Sequence, residues 1–181
     1  GSFDPLHIGH QAIMETLTRE REFDWVYLVI SPQNPFKDPS KALSARRRYE
    51  AAIEAVRRHP ELHVWVDDIE LGMEPPQYTI RTLDALKLRE PENDFTLVIG
   101  ADNLASFRGW RESGRILKEY GVVVFPREGY DIRAIKESLL NDPEGSLYDI
   151  RLMEDAPLVN ISSTEIRNAI AEGRDVSAWL M

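Results

Sequence analysis

The sequence predicts an α/β fold with a parallel sheet. Segments with helical periodicity alternate with short apolar segments along all 181 residues, and no repeat or low-complexity tract interrupts them. The apolar segments at 25–30, 95–99 and 122–125 are almost continuously hydrophobic, which is typical of strands covered on both faces. Such strands, separated by helices, favour parallel pairing.

The spacing of apolar residues predicts each element in turn. Ile13 and Leu17 lie one turn apart in the first helix, and Ser44 is a suitable N-cap for the second. Residues 31–42, with three prolines, form a loop at the end of the first strand, where open sheets bind ligands. The predicted helices cover 9–22, 43–58, 79–89, 131–141 and 164–171, with a short helical stretch around Trp110 and Ile116, and the predicted strands cover 25–30, 62–66, 95–99, 122–125 and 149–153.

The composition of the chain argues against several classes of function. The net charge of −9 argues against a nucleic-acid or anionic-membrane surface, although a nucleotide site needs only a few local donors. The chain has no cysteine, which excludes disulfides, thiolate metal sites and thiol nucleophiles. No apolar run approaches the ~18 residues of a membrane span. No signal peptide is visible, which favours the cytoplasm.

The most informative segment is residues 1–10, GSFDPLHIGH, called the cradle segment below. Small residues let backbone N–H groups approach an anion, and the following helix points its N-terminus at the same place. His7 and His10 lie on one face of the first turn, so both rings can reach one polyphosphate. A His pair standing alone is more often incidental or half of a metal site. Asp4 either caps the turn or contacts the ligand.

A second candidate anion site is residues 161–167, ISSTEIR, called the ISSTEIR segment below. The hydroxyls of Ser162 and Ser163 and the backbone N–H groups after Ile161 lie at a helix start, and Arg167 follows one turn later. The arginine fork suits a phosphate. Without the cradle segment, an ordinary serine N-cap explains the same residues.

Together the two segments resemble the signatures HxGH and ISSTxIR of the nucleotidylyltransferase superfamily, and within it the bacterial nicotinate-mononucleotide adenylyltransferases. The resemblance runs from Gly1 to about Arg174. It implies a Rossmann-like, doubly wound parallel sheet with helices on both faces, in a single nucleotidyltransferase domain over 1–181. It also implies an apolar first strand before Gly1 and a short helix after Met181, so we expect the sequence to be truncated at both ends.

The resemblance implies adenylyl transfer from ATP to nicotinate mononucleotide, with deamido-NAD and pyrophosphate as products, in NAD biosynthesis. Catalysis would rest on His7, His10 and Arg167. Mg²⁺ would be bound mainly through the ATP phosphates, without a protein metal site. ATP and the mononucleotide would be the partners, without nucleic acid or membrane, and homo-oligomerisation stays open.

The resemblance implies ATP-binding residues in the cradle segment, in the ISSTEIR segment and after two of the predicted strands. Asp102, after a buried strand, can accept from ribose hydroxyls or cap the next helix. Arg127 follows the next strong strand and is either on the adenine side or a solvated loop residue. The full set is Gly1, Ser2, Phe3, Gly9, His10, Gly100, Asp102, Arg127, Ile161, Ser162, Ser163 and Arg167.

The resemblance implies that five residues bind the mononucleotide: Asn34, Lys37, Tyr78, Thr79 and Trp110. Stacking on Trp110 suits the pyridine ring, and the helix N-terminus at Thr79 favours its carboxylate, which would select nicotinate over nicotinamide. Lys37 matches a basic position of the family, whereas Phe36 stands where histidine is common. The alternative to these binding roles is that Trp110 is a core tryptophan and Lys37 is a solvated lysine.

Other functions remain as alternatives. The amide mononucleotide could replace the acid form, and pantetheine-phosphate adenylyltransferases and cytidylyltransferases share HxGH but differ in the second signature. A non-catalytic nucleotide-binding module would be expected to have lost His7, His10 or Arg167. A histidine-based hydrolase or metalloprotein would need further ligands. The run at 46–48 is interpreted as a solvated helix face.

Overall fold

The computed structural model describes residues 1–20, 22–32 and 40–181. These residues form two compact units, one of residues 1–75 with 159–181 and one of residues 76–158. The assignment of the whole chain to a single domain stays a prediction. None of the described helices is long and apolar enough to cross a membrane.

All described strands pair in parallel, as the sequence predicts, and they form one sheet in each unit. The strands are β1 (Val26–Val29), β2 (Val64–Asp67), β3 (Leu97–Gly100), β4 (Val122–Phe125) and β5 (Ile150–Leu152). The helices are α1 (Ile8–Arg19), α2 (Ser40–Arg57), α3 (Thr79–Arg89), α4 (Ala101–Ala105), α5 (Ser113–Arg115) with a π-helical turn at Ile116–Tyr120, α6 (Ile132–Leu140) and α7 (Ser163–Ala171).

The first unit is built on the two-stranded sheet β1–β2, with Val26 opposite Val64. Leu28 and Ile30 pack into a core with Met14 from α1. Gly1 lies beside the end of β1, because its N–H donates to the Val29 carbonyl and its own carbonyl accepts from the Ser31 N–H, both at 2.8 Å. The cradle segment therefore starts at the carboxyl end of a parallel strand, where α/β sheets bind ligands.

The second unit is built on the three-stranded sheet β3–β4–β5. All four residues of the central strand β4 are buried, which confirms a strand covered on both faces. Short 3₁₀ turns at Ile69–Gly72, Phe107–Gly109, Gly145–Leu147 and Ser177–Trp179 complete the two units.

Most predicted elements are confirmed, and the bounds of α3 and β4 agree to the residue. The second helix is the main correction. It begins at Ser40 rather than Leu43, so Ser44 lies inside the helix and is not its N-cap. Lysine, alanine and leucine at 41–43 are strong helix formers, which favours the extra turn. The first helix ends at Arg19, three residues before its predicted end.

Candidate active site

The two histidines of the cradle segment cap α1 as a stacked pair. Nδ1 of His7 accepts a hydrogen bond from the Gly9 N–H at 3.1 Å, and Nδ1 of His10 accepts from the His7 N–H at 3.2 Å. The ring centroids are 3.7 Å apart. Because both Nδ1 atoms accept, the neutral rings carry their proton on Nε2. In this tautomer the ring N–H of each histidine is at Nε2.

Gly9 marks a close approach between the two signature segments. A Cβ at this position would lie 2.9 Å from Nδ1 and Cε1 of His7 and 3.5 Å from Cγ2 of Ile161. The first distance is too short for a real side chain, and the His7 ring cannot retreat without losing its hydrogen bond to the Gly9 N–H. Glycine is therefore required here by packing rather than by backbone conformation.

Phe3 holds a strained backbone conformation beside the histidines. Its φ is 48°, in the left-handed region that a bulky residue adopts only at a cost of about 1–3 kcal/mol. Its ring meets the His10 ring edge-on, with the centroids 5.0 Å apart. His10 thus has two aromatic contacts, with Phe3 and with His7, and these fix the orientation of its ring.

Helix α7 begins with a capping box, in which Ser162 is the N-cap residue. The Ser162 hydroxyl accepts from the Glu165 N–H at 3.2 Å, and the Glu165 carboxylate accepts from the Ser162 N–H at 2.8 Å. This reciprocal pair fixes the start of the helix. The ISSTEIR segment therefore presents a defined helix N-terminus, which favours anions.

Two side chains of the ISSTEIR segment bind the cradle segment directly. Ser163 Oγ donates to the Pro5 carbonyl at 3.1 Å, and Arg167 Nη1 donates to the Asp4 carbonyl at 2.7 Å. Arg167 Nη2 also donates to the Thr164 hydroxyl at 3.2 Å. The structure thus brings together two segments that are about 150 residues apart in the chain. Arg167 therefore stabilises the loop of the cradle segment, and both of its terminal nitrogens donate hydrogen bonds to protein oxygens.

Arg48 contradicts the interpretation of residues 46–48 as a solvated helix face. It is only 6% exposed, whereas Arg46 and Arg47 are exposed. Sequence reasoning missed it, although its spacing from Ala52 and Ala55 places it on one helix face with those buried alanines. That spacing was the available signal.

In the second unit, Asp102 and Arg127 follow the adjacent strands β3 and β4. Arg127 Nε lies 3.6 Å from Asp102 Oδ1, which is buried and accepts no hydrogen bond from the described residues. A Cβ at Gly100 would lie 2.7 Å from the same oxygen. Gly100 therefore leaves room for the carboxylate to fold over the end of β3.

The start of α3 lies beside the segment that holds Trp110. Tyr78 is the N-cap residue of α3, and it makes no capping hydrogen bond through its side chain. Trp110 is half-buried and stacks on Phe107, with the ring centroids 4.9 Å apart. The guanidinium of Arg111 lies 5.6 Å from the Tyr78 ring centroid, a cation–π contact that sequence reasoning also missed. Tyr78, Thr79 and Trp110 are thus brought near one another within this unit.

Two predicted site residues, Asn34 and Lys37, lie outside the described residues. Within the ranges that are described, no group of three or more His, Cys, Asp or Glu side chains could hold a metal ion.

Comparison with known proteins decides the family. Residues 1–169 match the cytidylyltransferase-like family. The chain belongs to this family. It is 39% identical over 180 residues to a probable nicotinate-nucleotide adenylyltransferase of Porphyromonas gingivalis, covering 99% of the chain and 86% of that relative. A relative of the same name from Bacteroides fragilis is 36% identical over 180 residues, with 99% and 84% covered.

A solved structure supports the fold of this nucleotidyltransferase independently. The nicotinic acid mononucleotide adenylyltransferase of Plasmodium falciparum, solved in complex with NaAD, superimposes with a TM-score of 0.78. The match covers 99% of the chain and 87% of that structure, at 17% sequence identity. At this identity the likeness establishes the Rossmann-like nucleotidyltransferase fold and nothing finer.

Proposed function

We propose that this chain transfers the adenylyl group of ATP to nicotinate mononucleotide, forming deamido-NAD and pyrophosphate. The observation that carries the proposal is the convergence of both signatures on one loop, with Ser163 and Arg167 bound to carbonyls of the cradle segment. The full-length similarity to relatives named nicotinate-nucleotide adenylyltransferase supports the same reaction.

The proposed reaction is a single displacement at phosphorus. A phosphate oxygen of the mononucleotide attacks the α-phosphorus of ATP, the bond from that phosphorus to the bridging oxygen of the β-phosphate breaks, and pyrophosphate leaves with the electron pair. No covalent enzyme intermediate is needed, so catalysis depends on positioning and charge stabilisation. A Mg²⁺ ion bound to the ATP phosphates would neutralise part of their charge.

His7, His10 and Arg167 are the proposed catalytic residues. The Nε2–H groups of the histidine pair would donate to phosphate oxygens, where negative charge develops. The capping hydrogen bonds fix the tautomer of both rings before substrate binds. Arg167 would act beside them by holding the Asp4 carbonyl and adding positive charge near the phosphates.

The resemblance also supports further ATP-binding residues in each of the two units, taken separately. The Asp102 carboxylate would bind a ribose hydroxyl, and Arg127, whose Nε lies 3.6 Å from Asp102 Oδ1, would lie on the adenine side. The proposed contributors are Gly1, Ser2, Phe3, Gly9, His10, Gly100, Asp102, Arg127, Ile161, Ser162, Ser163 and Arg167.

The mononucleotide would bind through Tyr78, Thr79 and Trp110, with Asn34 and Lys37 as further proposed contacts. Trp110 would stack on the pyridine ring, and the first-turn N–H groups of α3 would bind its carboxylate. The guanidinium of Arg111, held on the Tyr78 ring, adds positive charge near this helix end. Charge complementarity supports the acid form of the substrate over the amide.

The test is a coupled pyrophosphate assay with ATP and three acceptors: nicotinate mononucleotide, nicotinamide mononucleotide and phosphopantetheine. The proposal predicts a kcat/KM for the nicotinate form that is at least about tenfold above either alternative, since each 1.4 kcal/mol of discrimination is a factor of ten. Comparable rates with the amide would overturn the carboxylate argument. Preference for phosphopantetheine would overturn the substrate assignment.

A further inference from the structure

Arg48 is a buried cation in the first unit that the proposed chemistry leaves unexplained. The residues that share its face of α2 are small and apolar: Ala45, Ala52 and Ala55 are each at most 4% exposed. Burial lowers the pKa of Arg48 below its usual value, and the negative charge of Asp4 partly opposes the shift. A cation placed among alanines needs a specific reason.

The hydrogen bonds of Arg48 join two loops. Nη1 donates to the Ser2 carbonyl at 2.6 Å, and Nη2 donates to the Ser31 carbonyl at 3.0 Å. Ser2 belongs to the cradle segment, and Ser31 is the second residue after β1. Ser31 is also bonded through its N–H to the Gly1 carbonyl at 2.8 Å. One guanidinium thus fixes the backbone on both sides of this junction.

Stability alone does not account for this arrangement. Nε of Arg48 is buried without a hydrogen-bond partner among the described residues, and an unsatisfied buried donor is unfavourable. No carboxylate of the described residues lies within ion-pair distance of it, so among these residues its charge is offset by carbonyl dipoles and by the more distant Asp4. An apolar side chain at this position would avoid both costs.

We propose that Arg48 is a positioning residue of the adenylyl transfer. It holds the Ser2 carbonyl of the cradle segment, which would bind ATP, in register with the Ser31 carbonyl beyond the end of β1. This inference rests on the proposed function and adds to it a residue that touches neither substrate. Its role is to hold the cradle backbone, and with it the α-phosphorus of ATP, in position for attack.

The test compares Arg48→Ala with Arg47→Ala, a matched control on the exposed neighbouring arginine. Arg48→Ala is expected to lower kcat by about 10- to 100-fold, because misplacing a reacting group by about 1 Å can have an effect of this size. KM for each substrate should change much less than kcat. Thermal unfolding measures whether both variants remain folded, and Arg47→Ala should keep both kinetic constants.

Chemical rescue separates positioning from a general loss of structure. Added guanidinium ion, at concentrations too low to unfold the protein, should occupy the space left in Arg48→Ala and recover about tenfold in kcat, as expected for restored charge-assisted hydrogen bonds. The same salt should not activate Arg47→Ala. If Arg48→Ala does not fold, Arg48→Lys replaces it, with the expectation of a lowered kcat at near-normal KM.

The outcomes separate this inference from the proposed function. A wild-type protein that releases no pyrophosphate from ATP and nicotinate mononucleotide would contradict the function itself. A normal wild-type rate, combined with a folded Arg48 variant that keeps kcat within about twofold, would overturn the positioning role. Failure of guanidinium to raise kcat of folded Arg48→Ala, or failure of both Arg48 variants to fold, would also overturn it and leave Arg48 a structural residue.

Discussion

Gly9→Ala tests the close packing around the histidine pair. The new Cβ would lie 2.9 Å from the His7 ring, so the ring must move and lose its bond to the N–H of residue 9. Loss of an N-cap costs about 1 kcal/mol, and alanine regains up to about 1 kcal/mol of helix propensity. The two nearly cancel, so the free energy of unfolding should change little. The displaced rings should lower kcat by about 100-fold.

The assay is steady-state pyrophosphate release, with thermal unfolding in parallel. Gly72→Ala is the matched control, because nothing lies within 4 Å of a Cβ at Gly72 in the same unit. The control should retain normal kcat. A Gly9→Ala variant with kcat within about twofold of wild type would refute the argument that the His7 cap governs catalysis.

Further substitutions test other parts of the account. Trp110→Ala should raise KM for the mononucleotide by about tenfold and KM for ATP much less, since aromatic stacking contributes about 1–1.5 kcal/mol; an effect confined to ATP would move Trp110 to the other substrate. Gly100→Ala should raise KM for ATP, because its Cβ would lie 2.7 Å from Asp102 Oδ1, and an unchanged KM would argue against Asp102 as a ribose ligand. Burial acts to raise the pKa of Asp84, but hydrogen bonds from Arg115 and Tyr120 outweigh it and lower the pKa. The ionised carboxylate therefore stabilises the fold above its ordinary titration range and loses this contribution as pH falls below it. Asp84→Asn should lower Tm at pH 7, and the difference from wild type should shrink as pH falls through and below the ordinary titration range of an aspartate. A Tm difference that does not change with pH would contradict that linkage.

The elements that the sequence predicts best are those whose evidence is local. Four consecutive apolar residues define β4, and the capping box of Ser162 and Glu165 is visible as S-x-x-E before an apolar residue. The start of α2 was predicted wrongly, because Ser44 has the chemistry of a cap while the helix formers before it continue the helix.

The contacts between the two signature segments could not be predicted from the sequence. The resemblance indicates the two signature segments, whereas the bonds from Ser163 and Arg167 to the cradle carbonyls depend on tertiary packing. The N-cap of α1 is a histidine, and its capping partner is a second histidine. Serine, threonine, aspartate or asparagine usually occupies this position, so the sequence does not indicate this cap. Arg48 was missed because charged side chains are seldom buried, so a run of three arginines favours a solvated face.

The central claim is that the cradle histidines drive adenylyl transfer, and His10→Ala tests it most directly. The measurement is the rate of pyrophosphate release from ATP and saturating nicotinate mononucleotide, with thermal unfolding as the check on structure. His63→Ala serves as the control, because that histidine is exposed and outside the cradle segment. We expect His10→Ala to stay folded and to lower kcat by about 10²- to 10³-fold. Its Tm should fall by only about 2–4 °C, because the variant loses one capping hydrogen bond and the ring contacts with His7 and Phe3. A folded His10→Ala variant that releases pyrophosphate at a near-normal rate would contradict the central claim.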